Sequence, residues 1–181
     1  MKKLLYLILL VLLFACKESV EHRRHLLTRS WMGKPVYCPP DSSFESIRPD
    51  STVFYRIKRT TYTIVSYVNE ADSCEKDVWK LQEWRSFLDE VNRTKKEDIS
   101  CLLYFKPQDR QSLYKQLKNS DFQFPICIDE EDLLQKLNHF PQEAEFRTFL
   151  LDHRHRVVAI GNPATNPEVR KRYLQLIQGI S

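Results

Sequence analysis

Residues 62–68 read YTIVSYV, a run of β-branched and aromatic side chains bounded by polar sequence, which fits a buried strand. The next segment has a different period. Leu81, Trp84, Leu88 and Val91 are spaced three, four and three apart, so they share one helical face and predict a helix from about Ser73 to Arg93. Ile99–Phe105 is again strand-like, and Pro107 suits the first turn of a helix whose stripe is Leu113, Tyr114 and Leu117. Phe124–Ile128 predicts a third strand, and Asp129–Asn138 a short helix with Leu133, Leu134 and Leu137 inward and Pro141 beyond its end. Two further strands, Arg147–Leu151 and Arg156–Ile160, leave a four-residue gap, Asp152 to His155, that suits a hairpin. Asn166 then caps a last helix that has Pro167 at its first position, Val169, Tyr173 and Leu176 on its packed face, and Gly179 as its stop. Strands alternating with helices and closing on a hairpin describe a mixed α/β sandwich whose first strands run parallel.

The N-terminal side of the strand is of another kind. Residues 34–52 hold Pro35, Pro39, Pro40 and Pro49 among Ser and Asp, a composition that opposes helix. Before it, Val20, Leu26, Leu27 and Trp31 among charges predict a short helix over Glu18–Met32, with Gly33 as its stop. The chain opens with Met1, Lys2 and Lys3, then an apolar run from Leu4 to Phe14. That run is too short to span a bilayer, which takes about 20 residues, and reads as an export signal. Leu13-Phe14-Ala15-Cys16 resembles the bacterial lipobox, in which the cysteine is acylated, with palmitate among the chains, and becomes the new N-terminus. The expected organisation is therefore a lipoprotein signal peptide over 1–15, a lipid-anchored helix and Pro-rich lead-in over 16–52, and an α/β domain over 53–181. The expected location is the bacterial cell envelope, on the periplasmic face or the outer membrane, with the membrane itself as a partner through the lipid.

Composition narrows the function. The chain has 181 residues, 42% hydrophobic and 29% charged, enough to bury a core without disulfides or metals. Without Lys2 and Lys3 it carries 26 basic against 24 acidic residues, and acidic residues interrupt nearly every basic stretch, so no nucleic-acid partner is expected. Three isolated glycines exclude the phosphate-cradling loops of nucleotide-binding folds. No cofactor is implied. His153 and His155 lack a clear third ligand, so no metal site is expected. His22, Arg23, Arg24 and His25 form a basic cluster just past the anchor, suited to a solvated helix or to lipid headgroups.

Chemistry in this element order belongs where the first strand turns into the first long helix, and Cys74 stands there. Helix amides and dipole at that position favour a thiolate, making Cys74 the candidate nucleophile. Cys101 falls mid-strand and packs as a small apolar residue. Cys127 lies near the C-terminal end of its strand, either as a thiol able to resolve Cys74 or as a core residue. Cys38 sits in the Pro-rich lead-in, and four cysteines leave three pairings open.

The element order βαβαβαββα is that of a thioredoxin-like three-layer sandwich with a central mixed sheet and one inserted βα unit. The stretches WMGK at 31–34, YTIVSYV at 62–68, KLQEW at 80–84, FPICIDEED at 124–132, KLNHFP at 136–141, TFLLD at 148–152 and VVAIGNP at 157–163 together resemble the thioredoxin-like lipoproteins of Gram-negative gut bacteria. These are relatives of membrane-anchored periplasmic thioredoxins. The resemblance implies thiol-disulfide exchange with a protein thiol or disulfide client. In that family a C-x-x-C pair precedes the tryptophan of KLQEW by ten and seven residues, positions held here by Cys74 and Asp77. A carboxylate cannot resolve a mixed disulfide, so the motif is degenerate. Thioredoxins also carry a cis-proline before the strand TFLLD, where this chain has Phe146. Two readings stand: monothiol exchange through Cys74 with dithiol turnover weakened or lost, and a non-catalytic binding module anchored to the membrane.

Overall fold

The computed structural model describes residues 20–39, 60–72, 79–93 and 99–179. The proposed signal peptide and Cys16 lie outside them, as do Cys74 and Asp77. A helix over residues 20–31, α1, leads into β1 (Tyr62–Asn69), α2 (Leu81–Arg93), β2 (Ile99–Lys106), α3 (Arg110–Asn119), β3 (Ile126–Ile128), α4 (Leu133–Asn138), β4 (Thr148–Leu151), β5 (Val157–Ile160) and α5 (Pro167–Gln178). The five strands form one sheet in the order β3-β2-β1-β4-β5. β1, β2 and β3 pair in parallel, while β4 is antiparallel to both β1 and β5. This is the mixed sheet that the order of elements predicts.

Two apolar layers cover it. Ile64, Leu103, Phe105 and Ile126 point to the face packed by Trp84 and Phe87 of α2, Leu113 and Leu117 of α3, and Tyr173 and Ile177 of α5. Val65, Tyr67, Leu102 and Tyr104 point to the other, where Trp31 of α1, Val36, Leu134 of α4, Phe140 and Phe149 meet them. Strand alternation divides one apolar run between two cores, which is why YTIVSYV shows no polar face. Trp31 stacks on Phe149 with ring centroids 5.2 Å apart, and Lys34 Nζ lies 3.8 Å over the Trp31 ring.

Local chemistry sets the ends of elements. Asn166 accepts from Glu168 N and Val169 N, Pro167 opens α5, and Gly179 closes it at φ +66°. Gly161 sits at φ +110°, and a Cβ there would stand 2.9 Å from Val169 Cγ2. Asp152 holds the hairpin by accepting from Arg154 N and Arg156 N, with His155 left-handed at φ +58°. Burial pushes the Asp152 carboxyl up, and the Arg156 and Arg154 amides more than reverse this, leaving it below the usual carboxylate range.

Three expectations need correction. Trp79 and Lys80 are not helical, and Lys80 at φ +50° breaks the run, so α2 starts at Leu81 rather than belonging to a continuous helix from Ser73. Pro107 stands ahead of α3, whose N-cap is Asp109, accepting from Gln111 N and Ser112 N. In α4 only Leu134 of the three leucines is buried; Leu133 and Leu137 are 41% and 47% exposed, because Asp132 at φ +62° delays the helix to Leu133 and turns their face outward. Asp129 caps this helix instead, accepting from Leu133 N at 2.8 Å and Leu134 N at 2.9 Å.

Candidate functional site

β1 runs into a short 3-10 turn, Glu70–Asp72, and the chain then enters the segment that carries Cys74. A second 3-10 turn, Ala144–Arg147, delivers Phe146 and Arg147 to the same sheet edge, since Thr148 pairs with Ser66 near the C-terminal end of β1. The two turns are clasped. Arg147 Nη1 lies 2.5 Å from Asp72 Oδ2, and its Nη2 donates to Gln142 O at 3.2 Å. Arg147 Nε is buried and has no acceptor among the described residues. A cation is thus fixed on a carboxylate two residues before Cys74 in the sequence. Phe146 is 1% exposed and belongs to the core around Trp31 and Phe149. Among the described residues every peptide bond is trans. Beneath, the Ser66 and Thr148 hydroxyls form a buried hydrogen bond of 2.8 Å.

Beside the clasp lies a second polar group. Tyr67 donates its hydroxyl to Asp132, and Lys106 Nζ donates to Asp132 Oδ2 at 2.8 Å. The guanidinium of Arg147 stands 6.0 Å from the Tyr67 ring centroid. Burial pushes the Asp132 carboxyl up, but hydrogen bonds from Lys106 and Tyr67 outweigh it, and the group ionises below the usual carboxylate range. Burial first, and then the anionic Asp132, push the Tyr67 phenol well above its ordinary value. Sequence reading missed Tyr67, Lys106, Asp132 and Arg147. Their signal was faint: a lysine ending one apolar strand and an arginine just before another, each needing a carboxylate nearby.

Cys74 and Asp77 lie outside the described residues, and α2, whose amides were expected to serve Cys74, begins seven residues after it. Cys127 sits on the edge strand β3 opposite Tyr104, two strands from β1, and is 6% exposed. Cys101 packs against the other face of the sheet, where burial drives its thiol pKa far up. Cys38 packs beside the core that contains Cys127. Burial raises its pKa, and a hydrogen bond with Tyr104 offsets this only in part. Cys38, Cys101 and Cys127 are all thiols here. The clusters of His, Cys, Asp and Glu among the described residues include none fit to hold a metal ion. Trp79 and Trp84 are both core residues, Trp79 lying 4.8 Å from the Phe105 ring.

No family model and no curated protein matches the chain. Solved structures do. StoA from Bacillus subtilis superposes with a TM-score of 0.52 at 19% identity, over 76% of this chain and 98% of that one. The thioredoxin domain of a thiol-disulfide oxidoreductase from Bacteroides vulgatus gives 0.53 at 12% identity, over 78% and 96%. A PrxQ variant from Xylella fastidiosa gives 0.55 at 12% identity, over 82% and 95%. The chain has the thioredoxin-like α/β fold, in common with these structures.

Proposed function

We propose that this chain is a lipid-anchored protein of the bacterial cell envelope whose thioredoxin-like domain performs monothiol disulfide exchange through Cys74. The observation that carries the reading is the Asp72–Arg147 clasp, which joins the strand end leading to Cys74 with the turn that carries Phe146. In the exchange the Cys74 thiolate attacks one sulfur of a client disulfide, forming a mixed disulfide and releasing the other client sulfur as a thiolate. A second thiolate then attacks the Cys74 sulfur, so that the client leaves as a thiolate, the electron pair comes from the two attacking thiols, and these are left joined in a disulfide that a further donor thiol opens to return Cys74. With Asp77 in place of the second cysteine, that thiol is external or Cys127. The burial of Cys127 favours the external one.

The second reading, a binding module without turnover, draws support from Phe146, whose buried ring fills the core at the proline position of thioredoxins. The test is insulin reduction, with a glutathione donor, by the mature chain beside Cys74→Ser and Asp77→Cys. Activity that disappears in Cys74→Ser supports exchange. Activity that arises only in Asp77→Cys leaves the binding module. The anchor is tested separately, by incorporation of labelled palmitate and its loss in Cys16→Ser.

A further inference from the structure

α1 reaches from the end of the sheet that carries the Asp72–Arg147 clasp to the end that carries the β4–β5 hairpin. Near its start, Arg23 Nε lies 2.7 Å from Glu143, and Arg24 meets both carboxylate oxygens of Glu145 at 2.6 and 2.8 Å. Glu143 immediately precedes the 3-10 turn that carries Phe146 and Arg147, and Glu145 lies within it. Past its end, Gly33 N donates to Val157 O at 2.8 Å, Val157 N to Lys34 O at 3.0 Å and Val36 N to His155 O at 3.0 Å. Those contacts are at the hairpin, at the opposite end of the strands. The twelve residues of α1, 20–31, rise about 18 Å between the two. Trp31 and Leu27 hold the helix onto the aromatic core, so its direction is built into the fold.

Where the N-terminal tether enters is set by that direction. Residue 20 is four positions after Cys16, and four residues reach at most about 14 Å. Resting on the proposed lipid anchor, we infer that the lipid on Cys16 holds the Asp72–Arg147 end of the sheet against the bilayer and turns the Asp152–His155 hairpin away. The partner of that end is then a disulfide or thiol carried at the membrane surface, by a membrane-embedded or lipid-anchored protein. A client dissolved in the aqueous space would have to reach between the domain and the headgroups. Four cations of this end are engaged by carboxylates, Arg23 by Glu143, Arg24 by Glu145, Lys106 by Asp132 and Arg147 by Asp72. Short tether and docked helix, rather than attraction to anionic lipid, therefore set the orientation.

The experiment uses the lipidated full-length mature chain in phosphatidylethanolamine–phosphatidylglycerol vesicles doped with headgroup-spin-labelled lipid. A fluorescent amino acid replaces Glu131, exposed beside Asp132 at the site edge, or Arg154, exposed at the hairpin tip. Quenching several-fold stronger at 131 than at 154 is expected, and the double variant Arg23→Glu with Arg24→Glu should reduce that difference while the protein still floats with the vesicles. Equal quenching, or stronger quenching at 154, in protein that floats and carries palmitate overturns the orientation alone. A difference unmoved by the charge reversals overturns the role of α1. Absence of palmitate and of flotation removes the anchor itself, and the inference with it.

Discussion

Tyr67, Lys106 and Asp132 converge from β1, β2 and the turn before α4, so no local period announces them. Tyr67 is buried and the Lys106 and Asp132 side chains are partly so, each satisfied by the others. Asp132→Asn removes the anion that Lys106 and Tyr67 share, and should cost about 1 to 3 kcal/mol at neutral pH, read by denaturant unfolding. The pH sign is fixed by the direction of the shift. The folded-state pKa of Asp132 is depressed, so its contribution is complete above the unfolded value near 3.8 and is lost as pH falls through the folded value. Asp132→Asn should therefore narrow its stability gap from the natural chain on acidification from pH 5 to about pH 2. Arg147 belongs to the same scale. Arg147→Ala deletes a cation and frees Asp72, two residues before Cys74. Both changes disfavour a thiolate, so alkylation of Cys74 at pH 7 should slow several-fold, with Arg147→Lys restoring part of the rate. An unchanged alkylation rate would separate the clasp from the sulfur.

Elements whose ends are written in local chemistry were legible in the sequence. α5 is bounded by an Asx cap, a first-position proline and a left-handed glycine, and its observed limits follow those residues. β1 needed only its β-branched run. The start of α2 was not legible, because the left-handed turn falls on Lys80, a residue with no preference for that conformation. α4 misled for a related reason: three leucines over five positions fit a buried stripe, yet the cap at Asp129 and the left-handed Asp132 rotate two of them outward. At the candidate site Phe146 was singled out by the resemblance alone, whereas the clasp of Arg147 on Asp72 pairs residues 75 apart and had no pattern to show. The β5–α5 corner offers a test at this scale. Gly161→Ala places a methyl 2.9 Å from Val169 Cγ2 at a positive φ, while the Gly161 carbonyl accepts from Tyr173. The corner should open at a cost of about 1 to 3 kcal/mol, and hydrogen exchange should show lost protection in the first turn of α5 before any change in β1.

For the molecule as a whole, the two faces of the sheet are closed by different parts of the chain. Helices that alternate with the parallel strands, together with α5, seal one face. The other depends on residues far upstream: Trp31 is stacked on Phe149 and tilted against Phe140, Val36 is 1% exposed, and Pro35 bridges to Arg156. A chain beginning at residue 53 keeps every strand of the sheet but loses this cover. A buried tryptophan withdraws about 150–250 Å² from water, which at about 25 cal/mol per Å² is roughly 4 to 6 kcal/mol, and a buried valine adds about 1.5 to 3 kcal/mol. The sum approaches the whole net stability of an ordinary domain, about 5–15 kcal/mol. The truncated chain should therefore bind a hydrophobic dye and unfold without a sharp transition, whereas a chain beginning at residue 20 should melt cooperatively. Calorimetry of the two side by side decides it, and a sharp, unshifted transition in the shorter chain would show that α1 is an appendage of the sheet rather than one of its layers.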